Sequence, residues 1–298
     1  IARRQRQMCI RDSYLHTIGK RGQGPGEYRE VYDMIVDESK NQVRLLSPFG
    51  SLYTYDLEGN FIKQNQLPEK SNYQAMEQIG DNIMTWTIPV SSDEPCITIV
   101  NADNGKEVSS LWKGPRILNS LSGGSFYTYD GKTYFAPAFH NNEILEVTED
   151  SLKLAYKWDF GKDNIDISKY NFTLTDDNQA EEGRLMTNYL ENGTIPYLLG
   201  SQYQNSKYFY VCFSYGWFPN QTIKHLFYRK SDGKSFFFKD TQENISIRPQ
   251  AFEEECIVQF ASYDDLEAYK SILSPAEYQK IISRNEEDNP CLIKLYFK

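Results

Sequence analysis

The chain offers few side chains of the types that usually act in catalysis. Its three histidines, His16, His140 and His225, lie on or beside strand-like segments and far apart in sequence. The sequence contains no HxH or HExxH spacing and no Gly-x-Ser-x-Gly nucleophile turn. Because a ring-shaped fold can gather distant residues at its axis, an acid/base or metal site built from several segments stays open. For each histidine alone a structural role or an exposed position is the better interpretation, and we expect no bound metal and no cofactor.

A glycine-rich segment at residues 18–28 reads IGKRGQGPGEY. It lacks the Gly-Lys-Ser/Thr ending of a phosphate-binding loop and is not placed between a strand and a helix. We therefore expect a structural role, with glycines that adopt positive φ where the chain crosses between two units. Our candidate ligand-binding residues are Arg21, Glu27 and Tyr28 of this segment, together with His140 and Trp217 from later loops.

Residues 162–192 form an acidic insertion that interrupts the strand pattern. Its carboxylates do not follow the alternating spacing of a calcium loop, so a solvated charged face is the default interpretation. Leu185, Met186, Tyr189 and Leu190 fall at helical spacing. The insertion is thus predicted to carry a short helix and to lie as a lid over one face of the fold.

Short strand-like runs separated by turn residues dominate the rest of the chain. Turn segments at 55–60, 101–106 and 148–151 recur at the period of about 40–50 residues that is typical of a four-stranded propeller blade. The spacing predicts an all-β, six-bladed propeller whose first blade lacks its first three strands and keeps only a strand at residues 14–19, with five blades as the alternative. Near the end, Ser274-Pro275-Ala276-Glu277 is a capping box that predicts a helix before the last strand.

The cysteines show no metal-binding spacing. Cys96, Cys212 and Cys291 lie in apolar runs, where a free thiol behaves as a small hydrophobic group. Cys256 and Cys291 could meet within one hairpin layer, which sequence alone does not establish.

The charge of the chain bears on one class of partner, nucleic acid. Residues 1–12 hold four Arg and one Asp, so the net charge of −9 becomes −12 without them. Residues 3–12 back-translate to a string that resembles a sequencing adapter, and we interpret residues 1–12 as a disordered artefact; a genuine basic arm is the alternative. An acidic chain without a basic stripe argues against nucleic acid binding. Residues 13–298 are predicted to form a single propeller domain.

With segment 18–28 and the Asp-Asn-Pro at 288–290 that precedes the last strand, the chain resembles the six-bladed β-propeller proteins of Bacteroidetes. Many members of that family are predicted lipoproteins. The resemblance implies export, a lipidated cysteine on a lost N-terminal segment as the sole membrane attachment, and residence in the periplasm or at the cell surface. It brings no established activity.

The favoured function is therefore an extracytoplasmic binding or scaffolding module for an unknown glycan, peptide or partner protein. We expect a monomer whose tryptophans, Trp86, Trp112, Trp158 and Trp217, offer stacking surfaces. The alternative is a propeller hydrolase or lyase with a metal-assisted site on the ring axis, and a purely structural ring is the third possibility. Fold analogy does not decide among them.

Overall fold

The computed structural model describes residues 16–70, 72–88, 94–111, 126–136, 142–164, 197–216, 221–285 and 290–297. Two very short strands come first, β1 (Lys20–Arg21) and β2 (Glu27–Tyr28), and they pair in parallel. Five antiparallel sheets then follow along the chain. The predicted helix of the insertion, residues 1–12, His140, Trp112 and Trp217 lie outside the described residues.

Each of the first four sheets is a meander of four consecutive strands, which is the arrangement of a propeller blade. The strands of the first blade are β3 (Asp33–Asp37), β4 (Gln42–Leu46), β5 (Ser51–Asp56) and β6 (Phe61–Gln66), and those of the second are β7 (Tyr73–Ile79), β8 (Asn82–Thr87), β9 (Ile97–Asn101) and β10 (Glu107–Leu111). Those of the third are β11 (Phe126–Tyr129), β12 (Lys132–Phe135), β13 (Glu143–Val147) and β14 (Leu152–Lys157), and those of the fourth are β15 (Tyr197–Gln204), β16 (Tyr208–Tyr215), β17 (Thr222–Arg229) and β18 (Lys234–Phe238).

In the described part of the chain, the fifth blade has three strands, β19 (Ala251–Phe252), β20 (Cys256–Ala261) and β21 (Cys291–Tyr296). Between β20 and β21 the chain forms a 3₁₀ segment, Tyr263–Ser271, and the helix α1, Pro275–Ile282. The side chain of Ser274 accepts a hydrogen bond from the backbone N–H of Glu277, and the Glu277 carboxylate accepts one in return from the backbone N–H of Ser274. The predicted capping box and helix are therefore confirmed.

The predicted count of six blades is wrong, because the described residues form five. The prediction treated residues 14–19 as the last strand of a further blade. Instead, the described part of that segment, from His16 onward, forms no strand and lies against the first blade: the carbonyl oxygen of Thr17 approaches Gly59 in the turn that joins β5 to β6. The segment is thus an extension of the first blade.

The core lies between blades rather than within them. The first strand of each blade packs on the first strand of the next: β3 on β7, β7 on β11, β11 on β15 and β15 on β19. Leu46 and Leu52 of the first blade pack with Tyr73 and Ile83 of the second. Similar apolar contacts join the later blades, with Trp86 against Phe135, Tyr156 against Phe209, and Phe227 against Phe252. Each sheet therefore buries its faces on its neighbours.

Strand alternation divides the first blade into two faces. Leu46 and Leu52 are cross-strand partners that face the second blade, whereas Leu45 and Tyr53 are partners on the opposite face. Tyr28 of the glycine-rich segment packs on that opposite face. Because side chains alternate across a strand, both faces of β4 and β5 are apolar, as expected of a sheet that is covered on both sides.

One charged side chain is fully buried between the first two blades. The guanidinium of Arg44 donates to Asp37 Oδ2 at 2.9 Å, to Gln78 Oε1 at 3.2 Å and to Gln42 Oε1 at 3.2 Å. Hydrogen bonds from the Ser39 hydroxyl, and then from Arg44, lower the pKa of Asp37 to about 2. This group locks β4 of the first blade to β7 of the second.

The four cysteines of the described residues are free thiols. On the β20–β21 ladder Cys256 is opposite Tyr296, whereas Cys291 is opposite Ala261. The two cysteines therefore lie at opposite ends of one ladder and do not meet.

We predict that Arg44→Met lowers the free energy of unfolding by about 3–5 kcal/mol, because it leaves the Asp37 carboxylate buried without its cation. In the double variant Asp37→Asn/Arg44→Met most of that loss should be regained, since the neutral amide can still accept the Ser39 and Lys40 hydrogen bonds. Urea denaturation measures both changes.

The pH dependence follows from the lowered pKa of Asp37. A lowered folded-state pKa stabilises the fold above the unfolded value of 3.8, and that stabilisation is lost as the pH falls toward about 2. The difference in stability between the wild type and Arg44→Met should therefore narrow over this range, and a constant difference would contradict the assignment.

Candidate functional site

The glycine-rich segment is folded around the carboxylate of Glu27. This carboxylate accepts the backbone N–H of Gly24 at 2.9 Å and is 3.4 Å from Lys20 Nζ. The Gly24 hydrogen bond, followed by Lys20, lowers the pKa of Glu27. A Cβ at Gly22 would come within 1.9 Å of Glu27 Oε2, so only glycine leaves room for the carboxylate. Glu27 is thus engaged within its own loop.

The same segment is clamped to the first blade. The Tyr55 hydroxyl donates to the carbonyl of Gly26 at 2.9 Å, and burial raises the pKa of Tyr55 to about 12. Gly19 and Gly26 have φ of +64° and +73°, which is the positive φ expected from the sequence. Both glycines touch aromatic rings: a Cβ at Gly19 would be 2.7 Å from the Tyr55 ring, and one at Gly26 would be 2.7 Å from the Phe61 ring.

The candidate ligand residues of this segment take up different positions. Tyr28 is buried in the cluster on the first blade, and Arg21 is exposed, with its Nε donating to the carbonyl of Arg29 at 3.0 Å. The structure thus brings Arg21, Glu27 and Tyr28 together in one loop, and their role in ligand binding stays a prediction. His140 and Trp217 lie outside the described residues.

The tryptophans and the remaining histidines of the described residues serve the core or a turn. Trp86 is buried between the second and third blades, and Trp158 Nε1 donates to Gln202 Oε1 at 3.0 Å where the third blade meets the fourth. Neither is the open stacking surface that was expected.

The histidine His225 is buried, its ring is 2.9 Å from the Tyr210 hydroxyl, and burial lowers its pKa. His16 lies 2.5 Å from the carbonyl of Leu57 in the turn after β5.

A cleft of about 410 Å³ opens between the second and third blades, at the strand ends. This size is within the range of small-molecule sites. The sequence did not single out its residues, because they come from hairpins about 50 and 70 positions apart that only the packing of two blades brings together. The cleft is lined by Gln78, Ile79, Gly80, Thr128, Gly131, Lys132, Thr133, Glu146, Val147, Thr148 and Glu149.

A hydrogen-bond chain fixes one wall of this cleft. Gln78 accepts from buried Arg44 and donates through Nε2 to the carbonyls of Gly80 at 2.7 Å and Asn82 at 3.0 Å. The Asn82 amide then donates to Glu149 Oε1 at 3.1 Å. The chain from Arg44 to Glu149 therefore joins three successive blades, and we refer to it as the three-blade chain.

The lining offers donors and acceptors for a polar ligand. Lys132 Nζ is 3.0 Å from Glu146 Oε2, and this pairing raises the pKa of Lys132. Thr128 and Thr133 are cross-strand partners on the same sheet face as Val147, which packs toward the second blade. Hydroxyls, an amide and an ion pair can bind and orient a ligand, and the lining contains neither an imidazole nor a thiol.

Two carboxylates on neighbouring inner strands have raised pKa values. Asp33 accepts the backbone N–H groups of Met34 and Met76, both at 2.8 Å, and so ties β3 to β7. Burial raises the pKa of Asp33. Burial also raises the pKa of Glu77, and the nearby charge of Asp33 raises it further.

In the described part of the chain, no group of three or more His, Cys, Asp or Glu side chains is arranged to hold a metal ion. Nor does any helix there have the length and apolar character needed to cross a membrane.

The sequence matches a family described as a domain of unknown function, DUF4934, over residues 13–296, and the chain belongs to that family. None of the curated proteins matches it.

A solved structure shares its fold. A candidate exported protein from Bacteroides fragilis is similar with a TM-score of 0.68 and 15% identity, over 96% of this chain and 82% of that one. A weaker likeness is to the extracellular domain of a candidate hybrid two-component system from B. thetaiotaomicron, with a TM-score of 0.45 and 11% identity over 81% of this chain and 27% of that one. Another is to BamB from Moraxella catarrhalis, with a TM-score of 0.43 and 12% identity over 70% of this chain and 53% of that one. The first likeness establishes the fold alone.

We predict that Gly26→Ala destabilises the protein more than Gly131→Ala does. Both positions have nearly the same positive φ, +73° and +69°, so both substitutions incur about 1–2 kcal/mol of backbone strain. A Cβ at Gly26 also meets Phe61, whereas one at Gly131 meets nothing within 4 Å. Thermal unfolding should show an excess loss of about 1–3 kcal/mol for Gly26→Ala; equal losses would show that the loop is not clamped.

A second prediction concerns the raised pKa of Glu77. A carboxylate whose folded pKa is raised binds its proton more tightly in the folded state, so the wild type gains stability as the pH falls through that pKa. Glu77→Gln should be more stable than the wild type at pH 7 and should show a smaller acid gain, since only the part from Asp33 remains. The matched control Glu58→Gln, on an exposed turn, should keep the full gain. Urea denaturation between pH 7 and 4 measures the effect, and a less stable Glu77→Gln at pH 7 would contradict it.

Proposed function

We propose that this DUF4934 protein is an extracytoplasmic propeller module that binds a polar ligand, such as a glycan, and performs no catalysis on it. The observation that carries the proposal is the interblade cleft, whose lining combines hydroxyls, an amide and the Lys132–Glu146 ion pair. Oligosaccharides present many hydroxyl groups, which such a lining can match as donor or acceptor.

The rigidity of the cleft supports a binding function. The three-blade chain fixes Gln78 and Glu149 before any ligand arrives. A site formed in advance loses less side-chain freedom on binding, and this favours affinity. No described group favours the metal-assisted hydrolase or lyase, which remains a prediction of the sequence.

The location proposed for this module is the periplasm or the cell surface. Its support is the fold shared with a candidate exported protein of B. fragilis and the glycine-rich signature of segment 18–28. Attachment through a lipidated cysteine on a preceding segment belongs to the same proposal. Fractionation of cells that produce the natural protein, with detection in the outer-membrane or periplasmic fraction, tests it; confinement to the cytoplasm would refute it.

We predict that Thr128→Trp weakens glycan binding at least ten-fold, because an indole at this exposed lining position fills the cleft. The assay is a glycan array followed by titration calorimetry on the full chain. Ser235→Trp, at an exposed position on the outer strand of the fourth blade, is the matched control and should bind like the wild type. If no glycan binds, or if both variants bind equally well, the cleft is not the site.

A further inference from the structure

Among the described residues, the fifth blade has one strand fewer than the other blades. The first four sheets each have a fourth, outermost strand, whereas the fifth sheet ends at β21. Within this part of the chain, the outer side of β21 is therefore a strand edge at a position where each of the other blades has a hydrogen-bonded strand.

The register identifies the edge groups of β21. The backbone N–H of Phe297 donates to the carbonyl of Glu255 at 3.0 Å, and this fixes which residues exchange hydrogen bonds across the ladder. Because hydrogen-bonded pairs alternate in an antiparallel ladder, Ile293 and Leu295 bond to β20. The N–H and C=O groups of Leu292, Lys294 and Tyr296 therefore point away from β20.

The same three residues have the exposed side chains of the strand. Leu292 is 57% exposed and Tyr296 68%, whereas Cys291 and Ile293 are buried. Lys294 lies between the two apolar residues on their face, and its Nζ forms a half-exposed pair with Glu253 at 3.1 Å. The edge thus offers two apolar contacts on either side of one positive charge.

The outer strands of the four-stranded blades have features that hinder pairing with another chain, and β21 lacks these features. The ladders of β6, β10 and β14 each contain a register shift. In addition, Lys63 and Asn65 of β6 bond to the carbonyl of Asp103. On β18, cations cover the aromatic rings, with Arg229 over Phe236 and Lys224 over Phe237. By contrast, β20 and β21 pair over six consecutive positions without a shift.

We propose that β21 is the docking strand for an extended segment of a partner protein, which pairs with it as the fourth strand of the fifth blade. The segment carries an acidic residue opposite Lys294 and apolar residues opposite Leu292 and Tyr296. Opposite charges and apolar pairs are the favourable cross-strand combinations, and strand addition to an open edge is a common mode of peptide recognition. A second copy fits less well, because antiparallel pairing of β21 about its centre would set Lys294 against Lys294.

The experiment is a fluorescence anisotropy titration of the full chain with a labelled Val-Thr-Glu-Thr-Val peptide. We expect saturable binding with a Kd below about 1 mM. Lys294→Pro removes an outward N–H without touching the bonds to β20, and it should weaken binding at least ten-fold. Gln64→Pro makes the same change at an exposed, outward position of β6 and should leave binding unchanged.

A charge exchange keeps the test independent of the proline variant's folding. A peptide with Lys in place of its Glu should bind the wild type several-fold more weakly, and Lys294→Glu should reverse that preference. Binding that ignores both exchanges, or no binding at all, would overturn the proposal.

Two further results would assign the edge to another occupant and so also overturn the proposal. The first is slow hydrogen exchange at the amides of Leu292, Lys294 and Tyr296 in the free monomer, which would show that the chain itself covers the edge. The second is a dimer in sedimentation that Lys294→Pro dissociates. Neither result depends on the interblade cleft, so the proposal stands or fails separately from glycan binding.

Discussion

The packing of one apolar sheet face against the next is the constraint on which this structure depends. A blade has no core of its own: Leu46 and Leu52 are buried because Tyr73 and Ile83 cover them, and Trp86 is buried because Phe135 does. A sheet with two apolar faces needs a cover on each. The contacts between successive blades supply both covers for the second, third and fourth blades, but only one for the first and one for the fifth. The first blade resolves this with the glycine-rich segment, whose Tyr28 packs over Leu45 and Tyr53. On the fifth blade the 3₁₀ segment and α1 extend the cover, with Leu266 and Tyr269 against Ala261 and Ile293.

Buried polar groups in these interfaces position other groups through their hydrogen bonds, although among the described residues Arg44 Nε and the hydroxyls of Thr54 and Thr98 have no hydrogen-bond partner. Arg44 is fully buried, yet it ties Asp37 of its own blade to Gln78 of the next. Gln78 then turns two carbonyls of its own hairpin inward, and Asn82 holds Glu149 of the third blade. Burial of a charge is costly unless the charge is paired and hydrogen-bonded. The hydrogen bonds of the Arg44 guanidinium therefore also help to fix one wall of the cleft at the next interblade interface, which links the stability of the fold to the geometry of its candidate site.

Much of the local structure could be predicted from the sequence because it is set by neighbouring residues. Turns such as the one at Gly105 and the capping box at Ser274 are determined within a few positions, and both are found where the pattern indicated. The 3₁₀ segment was missed, although Ser262 and Asp265 form a second capping box that could have signalled it. The blade count failed for a different reason. Whether the segment at 14–19 completes a further blade or covers an existing one depends on contacts such as that of Thr17 with Gly59, about 40 positions away, which local pattern does not encode.

The candidate site shows the same limit more strongly. Arg21, Glu27 and Tyr28 were chosen because they stand out in a glycine-rich motif, and packing accounts for its glycines: each makes room for Glu27, Tyr55 or Phe61. The cleft residues, in contrast, are ordinary threonines, glutamines and glutamates at hairpin ends. Nothing local distinguishes Thr128 from the many other hydroxyl residues of the chain until the third blade is set beside the second. In a fold built from repeated sheets, conspicuous residues tend to serve the joints between units, whereas binding surfaces arise from common residues that the joints bring together.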